Sequence, residues 1–154
     1  MVLIHPYAKP MRNGMPNPKT YPYWKELISL MEKEDIIQIG VNGEKALVKT
    51  FKKNLPLTEI MQLIQLCDYW VAVDSFLPHL AQFIGKPGVV LWSVSDPIIF
   101  GYSENLNLLK DRKYLRDKQF DIWEAESYNP EAFMTATEVY ENINKLRGPS
   151  HASN

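Results

Sequence analysis

The sequence has a single cysteine, Cys67, so it cannot form an internal disulfide. It also lacks a Cys and His cluster at zinc-site spacing, a Walker loop, a Gly-x-Gly-x-x-Gly run and a serine nucleophile elbow. These absences exclude a disulfide-stabilised secreted scaffold and the commonest metal, phosphate-loop and serine-hydrolase sites. The lone cysteine predicts a reducing, cytoplasmic compartment.

Long apolar runs and an excess of one charge are also missing. No stretch predicts a transmembrane segment, and residues 1–8 lack the basic and apolar regions of a signal peptide. The net charge of −1 gives no overall attraction for nucleic acid or an anionic membrane. The charge is uneven, however: residues 1–56 carry nine Lys/Arg and five Asp/Glu, whereas residues 57–154 carry eight and thirteen. An anionic ligand would therefore favour the first third of the chain.

The remaining composition is that of an ordinary globular protein. The chain has 154 residues, of which 45% are hydrophobic and 23% are charged. A chain of this size buries enough surface for a sizeable core. We expect one domain over residues 1–147 and an unstructured tail over residues 148–154.

Short apolar runs alternate with amphipathic stretches along the chain, and this alternation predicts strands and helices. The predicted strands are residues 2–4, 36–39, 69–73 and 89–92. The predicted helices run from a Thr20 cap to Glu34, from the Gly40–Gly43 turn through Phe51, from a Thr58 cap past Ile64, from Asp74-Ser75 through Ile84, and from Pro130 or Thr135 to Leu146. Residues 98–128 are irregular and predict only a short strand near Ile122-Trp123.

Strands that are apolar on both faces, each followed by a helix, predict an α/β fold. The expected architecture is a single Rossmann-like, doubly wound parallel sheet with right-handed crossovers. Ligands of such sheets bind outside the carboxyl ends of the strands. The residues that follow the predicted strands are therefore the candidates for a site.

The segment after the third predicted strand is the sharpest candidate. Asp74 and Ser75 stand where the first N–H groups of a helix are unpaired and its dipole favours an anion, so a phosphate or diphosphate fits there. His79 lies four residues after Ser75 and shares its helix face, and Pro78 falls in the first turn. The alternative is that Asp74 or Ser75 merely caps the helix and His79 packs in the core.

Charged and aromatic residues near the other strand ends add weaker candidates. Lys19 or Lys9 would neutralise a diphosphate from the loop after the first strand, although without further context each is better explained as a solvated surface lysine. Glu44 would accept hydrogen bonds from ribose hydroxyls, or would complement a helix dipole as a first-turn carboxylate. The aromatic run of Tyr21, Tyr23 and Trp24 is either a sugar platform or core, and core is favoured for Trp24.

Taken in order, these segments resemble the C-terminal, donor-binding half of glycosyltransferase family 9, the heptosyltransferases of lipopolysaccharide assembly. The most specific segment is Asp74 to Ala81, Asp-Ser-Phe-Leu-Pro-His-Leu-Ala, followed by Gly-Lys-Pro at 85–87. The other matching segments are Ile4-His5-Pro6, Lys19-Thr20-Tyr21-Pro22 with Trp24, Gly40 with Glu44, Leu57-Thr58, and Ser95-Asp96-Pro97.

The resemblance implies a GT-B protein, in which two Rossmann-like halves face each other across a cleft and the C-terminal half holds a nucleotide-sugar donor. An ADP-linked heptose is the expected donor, with no further cofactor and no metal in an inverting transfer. The implied contacts are the diphosphate for Lys19, Ser75 and His79, the ribose for Glu44, the base for Leu57, and the sugar or phosphate for Asp74. The catalytic base and the acceptor-binding surface belong to the N-terminal half in the family, so the catalytic residues are unknown from this chain.

The chain departs from the family pattern at Tyr7, Phe76 and Ser93, where glycine is common and permits close approach of the backbone to a ligand. With these residues the donor sits differently, the pocket takes another ligand, or the site has decayed. We therefore expect either a donor-binding domain that another chain, or a second copy of this one, completes, or a non-catalytic interaction module on a degenerate glycosyltransferase fold.

Overall fold

The computed structural model describes residues 1–148 and is built around one parallel sheet of six strands. The spatial order of the strands is β3-β2-β1-β4-β5-β6, with every neighbouring pair parallel. This order reverses direction between β1 and β4, which is the point where doubly wound sheets bind ligands. The strands are β1 (Val2–His5), β2 (Ile36–Gly40), β3 (Thr50–Lys53), β4 (Tyr69–Val73), β5 (Val89–Leu91) and β6 (Leu106–Leu108).

Helices cover both faces of the sheet. They are α1 (Trp24–Leu30), α2 (Leu57–Leu66), α3 (Phe76–Ile84), α4 (Pro97–Phe100) and α5 (Ala136–Arg147), with single 3-10 turns at Arg112–Tyr114, Trp123–Ala125 and Pro130–Ala132. No helix within residues 1–148 combines the length and the apolar character that crossing a membrane requires. The predicted tail covers residues 148–154, and all of it except Gly148 lies outside the described residues.

The central strands explain the two-sided core. Alternate side chains of β1 and β4 point to opposite faces of the sheet, so Val2 and Ile4 pack with α1 and α5 while Leu3 packs with α2 and α3. All nine residues of these two strands are buried. The α/β class and the doubly wound parallel sheet predicted from the sequence are therefore confirmed.

The helix predicted from the Gly40–Gly43 turn through Phe51 is wrong. The buried side chain of Gln38 holds this segment outside any helix, because its Nε2 donates to the carbonyl oxygen of Lys45 (2.9 Å) and its Oε1 accepts from the N–H of Leu47 (2.7 Å). The chain then enters β3, an edge strand that pairs with β2. The nitrogen and the oxygen of the Gln38 side-chain amide thus form hydrogen bonds with backbone groups that in a helix would be paired with other backbone groups.

Several predicted boundaries also require correction. Thr20 does not cap α1, because residues 18–23 form turns and the helix begins at Trp24. Thr58 lies inside α2, which starts at Leu57 after Pro56. Between the alternative starts of the last helix, Thr135 is the cap: its hydroxyl accepts from the N–H of Glu138 (3.2 Å).

The predicted strand near Ile122-Trp123 is wrong as well, since that segment makes a 3-10 turn. The sixth strand instead lies at Leu106–Leu108 and was not predicted. Its polar neighbours are structural: Asn105 Oδ1 accepts from the N–H of Gly88 (3.1 Å), and Asn107 Oδ1 accepts from the indole N–H of Trp92 (2.9 Å). These two asparagines, a residue type that is common in loops, therefore bind the edge strand β6 to the rest of the sheet.

Candidate functional site

A cleft of about 380 Å³ lies at the carboxyl ends of β1, β2 and β4, where the strand order reverses. Its volume falls in the range of small-molecule sites, roughly 300–1,000 Å³. The end of β1 and the loop after it form one wall, and residues that follow β2 and β4 form the others. The lining residues are His5, Tyr7, Ala8, Lys9, Pro10, Lys19, Val41, Glu44, Asp74, Ser75 and Phe76.

Lys19 and Asp74 form an ion pair inside this cleft. The Lys19 Nζ lies 2.9 Å from Asp74 Oδ2, and the two side chains are only 16% and 15% exposed. Lys9 also lines the cleft, but it is an exposed residue of the same loop. Of the two lysines that the sequence left open, Lys19 is the one held beside the residues that follow β4.

The loop that carries Lys19 is fixed at two buried points. The Asn17 side chain donates to the carbonyl oxygen of Lys9 (2.6 Å) and accepts from the N–H of Lys19 (2.8 Å). Ser93, two residues after β5, donates its hydroxyl to the carbonyl oxygen of Pro18 (2.9 Å). Ser93 therefore lies behind the loop, and it does not line the cleft within residues 1–148.

His5 and Ser75 form a second polar pair in the cleft. The Ser75 hydroxyl donates to the carbonyl oxygen of Val73 (3.1 Å), so His5 Nδ1, 2.9 Å away, donates to Ser75 Oγ. Burial penalises the charged imidazole and lowers the pKa of His5 to about 4. His5 is thus a neutral ring that fixes the position of the Ser75 hydroxyl.

The N-terminus of α3 meets the cleft without a side-chain cap. Ser75 occupies the cap position with an extended backbone, but its side chain accepts no hydrogen bond from the helix. Pro78 removes one of the first-turn N–H groups, and the N–H groups of Phe76 and Leu77 precede it. The alternative in which Asp74 or Ser75 caps the helix therefore holds for Ser75 by position, but no side-chain hydrogen bond makes the cap.

Glu44 reaches the cleft from the loop after β2. Its Oε1 accepts from the N–H of Val41 (2.6 Å), and burial raises the pKa of its carboxyl group while the Val41 N–H acts in the opposite direction. No helix begins here, so the alternative that Glu44 complements a helix dipole is wrong. Gly40 makes room for this carboxylate, since a Cβ there would lie 2.6 Å from Glu44 Oε1.

Two aromatic residues, Phe76 and Tyr7, line the cleft. Phe76 is 45% exposed and packs its ring edge-on to His5, with ring centroids 4.9 Å apart. The Tyr7 hydroxyl donates to the carbonyl oxygen of Lys45 (3.2 Å), and its pKa is raised by burial and further by the carboxylate of Glu44. The two rings narrow the cleft, yet the 380 Å³ remains beside them.

The structure places two predicted site residues outside this lining. His79 is an exposed residue of α3, and its Nδ1 is hydrogen-bonded to the hydroxyl of Tyr102 (2.7 Å). The alternative in which His79 packs in the core is therefore wrong. Leu57 is the first residue of α2 and is 57% exposed. Within residues 1–148 the cleft is lined by Lys19, Glu44, Asp74 and Ser75, and not by Leu57 or His79.

The aromatic run before α1 belongs to the core. The Trp24 indole donates to the carbonyl oxygen of Pro6 (3.2 Å), and the buried Tyr21 hydroxyl donates to the carbonyl oxygen of Met134 (2.9 Å). The preference for core at Trp24 is confirmed. Sequence analysis missed Tyr102 and Asn17 as supports of the candidate residues, because neither follows a predicted strand.

The sequence matches the family model of glycosyltransferase family 9 (heptosyltransferase) over residues 2–126. No curated protein sequence matches it significantly. The fold is similar to that of the dodecameric, iron-containing heptosyltransferase TibC in complex with ADP-D-beta-D-heptose (TM-score 0.68, 17% identity), covering 95% of this chain and 44% of that one. It is also similar to the ADP-heptose lipopolysaccharide heptosyltransferase II of E. coli (TM-score 0.65, 18% identity), covering 95% and 46%.

A second structure of TibC, from enterotoxigenic E. coli H10407, gives a TM-score of 0.69 at 17% identity, again over 95% of this chain and 44% of that one. The chain thus spans less than half the length of these heptosyltransferases. Although TibC contains iron, the described residues of this chain bring together no group of three or more His, Cys, Asp or Glu side chains that could hold a metal ion.

Proposed function

The chain belongs to glycosyltransferase family 9, and from that premise we propose that it binds a nucleoside-diphosphate sugar of the ADP-heptose type as the donor half of a glycosyltransferase. The site is the cleft at the carboxyl ends of β1, β2 and β4. The observation that carries the proposal is the position of Lys19, whose ammonium group lies beside Asp74 and next to the start of α3.

The cleft offers two sources of positive charge for a diphosphate. Lys19 supplies a full charge, and the N-terminal end of α3 supplies backbone N–H groups with the positive end of the helix dipole. Ser75 adds a hydroxyl that His5 holds in place. Because the leaving diphosphate gains charge as the glycosidic bond breaks, groups fixed at its position stabilise the transition state more than the bound donor.

The other contacts of the proposal involve Glu44 in the cleft and two residues outside its lining, Leu57 and His79. Glu44 lies on the β2 side, and the carboxylate oxygen not engaged by Val41 is the proposed acceptor for ribose hydroxyls. The base extends toward Leu57, whose exposed side chain begins α2. His79 is proposed to reach the diphosphate by leaving its hydrogen bond with Tyr102.

The proposal assigns no acceptor-binding site and no catalytic base to residues 1–148. A second polypeptide segment, another chain or another copy of this chain would supply the acceptor site and the catalytic base. Light scattering at high protein concentration tests the second-copy arrangement, which requires a dimer or a larger assembly. A cytoplasmic location is part of the proposal and rests on the single cysteine, which is buried as a free thiol.

The proposal is tested by titrating ADP into the ¹⁵N-labelled chain and following amide resonances. We expect the largest changes at Ser75, Phe76 and Leu77, with further changes at Lys19 and Val41. The amides of α5, which packs on α1 away from the cleft, serve as the internal control. A folded protein that shows no change at millimolar ADP, or changes spread evenly over the chain, would contradict donor binding.

A second candidate function is a non-catalytic interaction module, which is favoured by the presence of Phe76 and Tyr7 in the cleft. In that case the rings exclude the diphosphate and the fold serves another partner. Replacing Phe76 with glycine separates the two accounts. The donor-binding account requires ADP binding by the unmodified chain, whereas the module account requires that binding appear only after the ring is removed.

A further inference from the structure

The charge of the candidate diphosphate position is already neutralised by the chain itself. Lys19 Nζ lies 2.9 Å from Asp74 Oδ2, and about five-sixths of each side chain is withdrawn from solvent (16% and 15% exposed). Ion pairs on an open surface are weak because water and salt screen them. A pair withdrawn to this extent is screened less, so a ligand that replaces one partner must compensate for its loss.

Both members of the pair are held in place before any ligand arrives. The backbone of Lys19 is fixed by the Asn17 side chain (2.8 Å) and by the adjacent contact between Ser93 and Pro18. Asp74 directly follows β4, a fully buried strand, and directly precedes the cap residue of α3. The contact is thus built into the two segments that form the cleft.

The charges around the pair leave the cleft without an excess of positive charge. The ionisable side chains that line it include two lysines, Lys9 and Lys19, and two carboxylates, Glu44 and Asp74, while His5 is neutral. A nucleoside diphosphate brings at least two negative charges into this balanced set. Lys19 is the lysine held beside the residues that follow β4, so a diphosphate bound there gains its ammonium group as a close counter-charge in competition with Asp74.

We propose that Asp74 competes with the diphosphate for Lys19. When the diphosphate leaves, Lys19 re-forms its ion pair with Asp74, and this competition weakens the binding of the nucleoside diphosphate. This inference rests on the proposed donor-binding function and adds a specificity-determining residue to it. The free energy of the Lys19–Asp74 contact is subtracted from that of the Lys19–diphosphate contact, because one ammonium group cannot serve both fully.

The test measures ADP affinity by calorimetry in the Asp74→Asn chain. Asparagine keeps the shape and an acceptor oxygen but removes the charge, so we expect the ADP dissociation constant to fall about threefold to tenfold. Glu44→Gln is the comparison, since it neutralises the other carboxylate of the cleft without touching the pair. Its expected effect has the opposite sign, because the proposed ribose contact is weakened.

A double-mutant cycle separates competition from simple repulsion. In a Lys19→Ala background, Asp74→Asn removes only the direct repulsion between Asp74 and the diphosphate. The gain in ADP binding free energy from Asp74→Asn should therefore be less than half of its gain in the parent chain. An equal gain in both backgrounds, or no gain in the parent chain while ADP binds, overturns the competition and leaves the donor site standing. Failure of the parent chain and of Asp74→Asn to bind millimolar ADP overturns the donor site itself.

A structure of the unmodified chain with ADP bound gives a measurement that needs no variant. Competition predicts that Lys19 Nζ contacts the diphosphate and lies more than about 4 Å from either Asp74 carboxylate oxygen, beyond ion-pair distance. An intact Lys19–Asp74 ion pair in the ADP complex would overturn the inference.

Discussion

Ser93 donates its hydroxyl to the carbonyl oxygen of Pro18 over 2.9 Å, and this contact joins the segment after β5 to the loop that carries Lys19. Ser93 is 3% exposed, and Pro18 is also buried. Glycine, the residue that the resemblance leads us to expect at position 93, has no hydroxyl to make this contact. Ser93 therefore stabilises the loop that carries Lys19 and does not obstruct the cleft.

Ser93→Ala should lower both stability and ADP affinity. The substitution leaves the buried carbonyl oxygen of Pro18 without its donor, which costs about 1–3 kcal/mol of unfolding free energy. The same change loosens the loop, so ADP should bind a few-fold more weakly. Urea unfolding and calorimetry measure the two effects, and Ser29→Ala on the exposed face of α1 is the matched control. An unchanged unfolding free energy and an unchanged ADP dissociation constant in Ser93→Ala would show that Ser93 does not support the Lys19 loop.

Phe76→Gly should increase ADP affinity with little loss of stability. The ring is 45% exposed and narrows the cleft beside His5, and glycine allows the diphosphate to approach the first N–H groups of α3 more closely. We expect a gain of about threefold to tenfold in affinity. Phe83→Ala, at an exposed aromatic position of the same helix α3, is the control. A weaker complex after removal of the ring would show that Phe76 contributes to binding.

The stability of the fold should fall between pH 6.5 and pH 4 because of His5. Burial lowers its folded-state pKa to about 4, whereas the unfolded chain has an ordinary histidine pKa near 6.5. In this window the unfolded state binds more protons, so acid favours unfolding, by about 3 kcal/mol once both pKa values are passed. Above pH 6.5 the imidazole ring is neutral in the folded and the unfolded state, so His5 does not make the unfolding free energy depend on pH.

The variant His5→Gln isolates this contribution. Glutamine keeps a side-chain N–H group for the Ser75 hydroxyl but does not titrate, so its stability should depend less on pH between 6.5 and 4 than that of the parent chain. Urea unfolding at several pH values gives the difference directly, and the contributions of other groups cancel in it. Parallel curves for the two proteins would show that His5 does not carry the effect.

The central strands and their following helices could be predicted because their sequence signals are local and unambiguous. Val2 to Ile4 and Tyr69 to Val73 are continuous apolar runs, and Gly85, with φ of 84°, ends α3 at the residue that the sequence indicated. The positions of Asp74, Ser75 and Lys19 at one cleft followed from the rule that parallel sheets bind ligands at their carboxyl edge.

The misassigned parts depend on contacts between distant residues. Gln38 within an apolar strand gives no local sign that its amide will bind the backbone of Lys45 and Leu47 and keep that segment out of a helix. Asn105 and Asn107 have loop-like composition, yet they fasten β6 to its neighbours. Nor does sequence spacing distinguish Lys19 from Lys9, because the difference comes from the ion pair with Asp74 on another element.

The central claim is that Lys19 binds the diphosphate of a nucleotide donor, and it is tested most directly by the ADP dissociation constants of Lys19→Ala and Lys25→Ala measured by calorimetry. Lys25 is an exposed lysine of α1 and controls for the loss of one positive charge. Loss of a charge-assisted hydrogen bond predicts that Lys19→Ala weakens ADP binding about 10- to 100-fold, while Lys25→Ala changes it less than about twofold. Equal dissociation constants for the two variants would contradict the account.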